Sequence, residues 1–177
     1  MSSPDPATYK RPYSLEKRSQ ASSLKKKAIL AAARRLLESR GFFQLTMESL
    51  GRESGVSRQT VHTLFGSKAR VLEALFDEIA LAGGMEAMSS IMRGRNPQTA
   101  VEDFVRLFAG FWSRDRLLIR RIHGIAAIDP EFGHAVEARN QRRLQAASRV
   151  IGIVGWKPAS KEAMSEAINS LHALTSF

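Results

Sequence analysis

Five polar side chains crowd into six positions of this chain: Arg58, Gln59, Thr60, His62 and Thr63. On a helix they would form an exposed face narrow enough to enter the major groove of duplex DNA, where base edges are read by hydrogen bonds. Arg58 is the best base reader, because a guanidinium donates two parallel bonds to guanine O6 and N7. Gln59 can pair similarly with adenine, and each such contact discriminates by about 1 to 3 kcal/mol. The alternative for each residue is a phosphate contact or plain exposure. His62 can donate to a phosphate or a base, or stand without a partner.

These side chains need a scaffold, and Leu50 to Phe65, LGRESGVSRQTVHTLF, supplies one. It reads as two short helices around a tight Gly55 turn, burying Leu50, Val56, Val61 and Leu64 and leaving the polar face outward, as in a helix-turn-helix. Thr46 is a fitting N-cap for a helix over 47–53, Ser57 for one over 58–63, and Ser67 for a longer one to about residue 81 that turns Val71, Leu72, Leu75, Phe76 and Ile79 inward. Upstream, Ile29, Ala33, Leu36 and Leu37 repeat at helical spacing over 25–40, and Gly41 offers a left-handed stop. Lys68 falls in a first helical turn, where free N–H groups and the dipole favour a phosphate. Thr46 can hold a phosphate in the same way, and Ser57 joins this DNA-binding set as the cap of the reading helix.

From Lys27 to Phe76 the chain resembles the DNA-binding domain of the TetR family of bacterial repressors. The residues that carry the resemblance are the Ile29/Ala33/Leu37 helix ended by Gly41, the Thr46 start, the Gly55-Val56-Ser57 turn, Thr60, Phe65 and Ser67-Lys68. It covers about the first half of the chain. His62 stands where the family usually has Tyr, Gly51 where Ala is usual, and Val71 where Leu is common. The resemblance implies that Lys68 is a phosphate anchor. It also implies that the last two helices pair with their copies as a four-helix bundle, of which Ala163, Ala167, Ile168, Leu171 and Leu174 would be the visible half; intramolecular core is the other use for those positions. An effector bound among the C-terminal helices would favour a conformation whose two reading helices no longer fit successive grooves. Family members generally continue with a further helix, and Leu171 to Phe177 looks like the start of a segment that runs on.

Charge agrees with a nucleic-acid partner. Of the net +10, residues 1–70 hold +9, with 14 Lys/Arg against 5 Asp/Glu, so the basic field lies with the helix-turn-helix. Residues 1–22 mix Pro4, Pro6, Pro12, Ser and scattered charge without an apolar period and read as a flexible basic tail. Lys25, Lys26 and Lys27, with Lys10, Arg11, Lys17 and Arg18, make it a candidate DNA arm, although most basic tails are only solvated. A helix-turn-helix domain over 23–83 follows, and a ligand-binding and dimerisation domain over 84–177.

Beyond Gly84 helical periods recur without strand alternation: Val101/Phe104/Val105/Phe108/Trp112, Leu118/Ile119/Ile122/Ile125, Phe132/Val136/Leu144/Ala147/Ile151 and Ala167/Ile168/Leu171/Leu174. The fold class is all-α, a three-helix DNA-binding domain joined by a linking helix to a helical bundle. Met85, Met88, Met92, Phe104, Phe108, Phe111, Trp112, Ile119 and Ile122 could line an effector pocket or simply form core. His123, Arg120 and Asn140 are its candidate polar handles.

The same sequence excludes several function classes. With no Cys there are no disulfides, thiolate metal sites or thiol switches, and His62, His123, His134 and His172 lack metal-ligand spacing. No Gly-rich phosphate loop follows a strand, so neither a catalytic residue nor a cofactor is expected. No stretch reaches the roughly 20 apolar residues of a membrane span, and the N-terminus lacks a signal-peptide core, so a cytoplasmic protein is expected. One such domain reads few base pairs, which calls for a homodimer on a palindromic operator. The competing reading is an architectural, non-sequence-specific nucleic-acid binder.

Overall fold

Pro12 opens a 29-residue helix, α1 (Pro12–Arg40), in the computed structural model, which describes residues 12–40, 44–94 and 96–177. Proline suits a first helical turn, where its missing N–H loses no partner and its φ is already helical. The tail expected over 1–22 is therefore corrected from residue 12 onward; residues 1–11 and the expected stop at Gly41 lie outside the described residues. The extension was invisible to apolar periodicity because it has almost no buried face: Glu16 to Gln20 are exposed, and full burial begins at Ile29. Propensity sustains it, since no Gly or further Pro interrupts residues 13–40. Farther along, Ile29, Ala33, Leu36 and Leu37 are buried as their spacing predicts.

The next two helices are set by their ends. α2 (Met47–Ser54) begins in a capping box: the Ser49 N–H donates to Thr46 Oγ1 at 3.0 Å, and the Thr46 N–H to Ser49 Oγ at 2.9 Å. It ends at Gly55, whose φ of 72° is the left-handed stop. A methyl group on Gly51 would lie 2.8 Å from the Val56 carbonyl oxygen, so glycine there lets the turn close against α2. α3 (Arg58–Phe65) is capped by Ser57, whose Oγ accepts the Thr60 N–H at 3.0 Å. Leu50 and Val61 are fully buried; Val56 and Leu64 are half-buried against the same core. α4 (Lys68–Ala82), capped by Ser67, buries Val71, Leu72, Leu75, Phe76 and Ile79.

After Gly84 a short tight turn, Met85–Ala87, leads into α5 (Met88–Met92), then α6 (Ala100–Arg114), α7 (Arg116–Ala126), α8 (Pro130–Val154) and α9 (Lys161–Leu174). The fold is all-α, with no strand among the described residues. Asp129 caps α8 by accepting the Phe132 N–H at 3.1 Å, and Pro130 takes the first helical position. α8 is the central strut, packing on α4, α5, α6, α7 and α9. One continuous buried cluster runs from Ile29 to Leu171 through both halves of the chain.

One register is corrected. Leu144 and Ile151 were expected on the inner face of α8, but the buried positions are Phe132, Val136, Arg143, Ala147 and Val150. Phe132, Val136 and Ala147 are buried as expected, Ile151 is half-buried against the core, and the full burial falls one position earlier, on Arg143 and Val150, so that a charged side chain occupies a place that a count of apolar residues would never assign to it. No described helix is long and apolar enough to cross a membrane.

Candidate nucleic-acid interface

α3 presents the face that its spacing predicts. Arg58, Gln59, His62 and Thr63 are exposed and Thr60 is half-buried. Two of the hydroxyls are already engaged: Thr60 Oγ1 lies 2.9 Å from Ser57 Oγ, and Thr63 Oγ1 donates to the Gln59 carbonyl at 2.9 Å. Among the described residues neither the Arg58 nor the Gln59 side chain is hydrogen-bonded, which leaves their donors for an incoming edge. At the start of α2, Thr46 is exposed beside helix-terminal N–H groups.

The extension of α1 supplies a second wall. Arg18, Ala21, Ser22 and Lys25 line a cleft of about 390 Å³ whose other side is Gln59, Thr60, Thr63 and Leu64. Two cations therefore flank the candidate reading helix from a continuous helix. Lys26 and Lys27 are exposed on α1 but do not line this cleft. The arm, as far as it is described, is helix.

Lys68 is engaged as well. Its Nζ lies 3.5 Å from Asp129 Oδ2, the group pair being 31% and 17% exposed, and Ser67 Oγ donates to Glu131 Oε1 at 2.8 Å. The N-terminal ends of α4 and α8 thus meet, basic against acidic. Further ties join the halves: Arg34 Nη1 to Asp115 Oδ2 at 3.0 Å, Arg121 to the Leu37 carbonyl, and Arg139 Nη2 to Asp77 Oδ1 at 2.6 Å. Asp129, Glu131 and Arg121 escaped sequence reasoning because their partners lie more than sixty residues away.

Of the pocket residues expected in the C-terminal half, Phe104, Phe108, Phe111, Ile119 and Ile122 are buried core. Their rings pack directly, Phe104 on Phe108 at 5.0 Å and Phe111 on Trp112 at 4.4 Å between centroids. Met88 and Met92 are half-buried against the same cluster. His123 is largely buried, with Nε2 lacking a partner, and burial, then Arg143, lower its pKa. Arg120 is exposed, and Asn140 is half-buried. On α9, Leu171 belongs to the intramolecular core, Ala163, Ala167 and Ile168 are half-buried, and Leu174 is 71% exposed.

Residues 29–75, which contain α2, α3 and the burying part of α1, match the profile of bacterial regulatory proteins of the tetR family. The chain carries a DNA-binding domain of the TetR type over these residues. Over 127 residues it is 29% identical to the HTH-type transcriptional regulator EthR of Mycolicibacterium smegmatis, the match covering 70% of this chain and 58% of that protein. Over 84 residues it is 29% identical to the HTH-type transcriptional regulator BetI of Agrobacterium fabrum, covering 48% of this chain and 41% of BetI. The chain thus spans about half the length of these curated relatives. Its fold is similar to that of NalD, the secondary repressor of the MexAB-OprM multidrug efflux pump in Pseudomonas aeruginosa, with a TM-score of 0.68 at 17% identity over 88% of this chain and 81% of NalD. Among the described residues no cluster of His, Asp and Glu could hold a metal ion.

Proposed function

We propose that this chain is a sequence-specific repressor of the TetR family in the cytoplasm that binds a palindromic operator as a homodimer and is released by a small-molecule effector in its C-terminal half. The observation that carries the reading is the exposed polar face of α3, set in place by the Ser57 cap and the Gly55 turn. Arg58 and Gln59 read base edges; Thr46, Ser57, Thr60, His62, Thr63 and Lys68 hold phosphates or support the readers, and Arg18 and Lys25 add positive charge alongside. Two copies, related by a two-fold axis through the exposed part of α9, would place two such helices on half-sites about one helical turn or more apart.

Competition binding tests this reading against the architectural one. A palindrome selected from random duplex should outcompete unselected duplex by about a thousandfold or more at physiological salt. Equal affinity for both would mean that the protein binds DNA without reading it.

A further inference from the structure

Arg143 sits in the core-facing register of α8 and is only 8% exposed. Its guanidinium lies 5.8 Å from the Phe108 ring centre and 5.9 Å from that of Trp112. Nη2 donates to Ser176 Oγ at 3.0 Å and lies 3.0 Å from His172 Nε2, while Nε has no partner. Among the described residues no carboxylate pairs with it. Buried cations are ordinarily paired, so this one marks a place made for an anion. Nε and Nη2 form the edge of the guanidinium that grips a carboxylate by two parallel bonds.

The surroundings define the rest of the ligand. Beside Arg143, the buried Nε2 of His123 is also unpartnered. The segment from Thr175 to Phe177 lies over both groups: Trp112 Nε1 donates to the Thr175 carbonyl at 2.7 Å, Ser176 takes the guanidinium, and the Phe177 ring stacks on His123 with centroids 5.2 Å apart and planes 17° from parallel. The segment therefore offers an aromatic ring and an oxygen acceptor to this spot. Outside it, a cleft of about 460 Å³ is lined by Trp112, Ser113, Arg116, Arg120 and Phe177 among others, with two arginines and no acid.

We infer that this place binds a small aromatic carboxylate, its anion replacing Ser176 on the Arg143 edge and its ring taking the position of Phe177 between His123 and Trp112. The assignment rests on the effector reading above and names the chemical class of the effector. Arg116 and Arg120 draw the anion to the mouth, and the 175–177 segment moves aside as the ligand enters.

The test uses the full chain without DNA. Trp156→Phe leaves Trp112 as the sole indole, since the sequence holds 2 Trp. Its emission is followed during titration with phenylacetate and 3-phenylpropanoate, and with the matching amides. Saturable changes with a Kd below about 1 mM for an acid, at least about tenfold tighter than for its amide, support the site. Arg143→Gln should abolish that preference; because acid and amide are compared within one protein, a change in overall stability does not imitate the result. Should that variant fail to fold, Ser176→Ala, which removes the competing acceptor, should tighten the acids several-fold relative to the amides. Equal binding of acid and amide, or no saturable response to either acid, overturns the inference. An acid bound with the stated preference that leaves operator affinity unchanged upholds the site and removes the effector reading instead.

Discussion

Arg58 and Lys68 carry the same charge and divide the work differently. A guanidinium facing base edges affects one position of the operator, so Arg58→Ala should relax preference there by about 1 to 3 kcal/mol. An ammonium facing phosphate affects every sequence alike, so Lys68→Ala should weaken all duplexes and reduce the salt slope by about one unit. Matched effects in a salt-dependent binding series would contradict this division. Asp129 competes with phosphate for Lys68, across 3.5 Å. Asp129→Asn keeps the α8 cap, since Asn caps as well as Asp, and removes the competing charge. Partly exposed ion pairs contribute about 0.2 to 1 kcal/mol, so binding to any duplex should strengthen up to about fivefold; unchanged affinity would show that the pair is bystander geometry. His123 gives a pH signature: burial first, and Arg143 second, disfavour its protonation in the folded chain, whereas the unfolded side chain titrates near 6.5. Stability is therefore full above 6.5 and falls as pH drops through it, with His172 acting in the same sense. Between pH 7.5 and 5.5 the Tm should fall further in the parent than in His123→Phe, as thermal melts would show; an equal fall in both would remove His123 as the cause.

At the scale of elements, caps and close approaches decide where helices begin and how they meet. Gly133, one turn into α8, would carry a Cβ only 2.6 Å from the Ala126 carbonyl oxygen at the end of α7. Gly133→Ala should therefore destabilise: overpacking against backbone costs about 1–3 kcal/mol, and the gain in helix propensity returns only about 1 kcal/mol. A melt at or above the parent's would mean that the α7–α8 corner yields freely. The helices themselves were legible because their signals are local. Ser57, Ser67 and Thr46 cap the helices expected of them, and the inner stripes of α4 and α7 follow from spacing alone; on α6 the spacing finds Phe104 and Phe108 but misplaces Val101, which is exposed while Ala100 and Phe111 are buried. The first turns of α1 and the inner face of α8 depart from that reading for opposite physical reasons. The first turns of α1 have no apolar face to count, and the inner face of α8 includes a charge where a count looks for Leu144. Spacing could place Lys68 at the head of α4, but not the acid that meets it from α8, since that contact is a product of tertiary packing.

For the whole molecule, the proposed dimer needs a contact surface, and α9 offers one. α9 spends Leu171 on its own core and leaves Leu174 at 71% exposure. If that outer side forms the two-fold contact, Leu174→Glu should turn a dimer into a monomer by light scattering, lower operator affinity at least about tenfold, and leave helix content intact. A dimer that survives the substitution would move the contact elsewhere. Inside each subunit, α1 links the two halves without a joint. Arg121 holds it at the Leu37 carbonyl and Asp115 holds it at Arg34, while Arg18, sixteen positions earlier than Arg34, borders the α3 cleft. At 1.5 Å per residue that is a lever arm of about 24 Å, so a pivot of about 5° at the grip sweeps its tip through about 2 Å. A displacement too small to notice among the bundle helices would then be enough to break a salt-bridging contact with the sugar-phosphate rail.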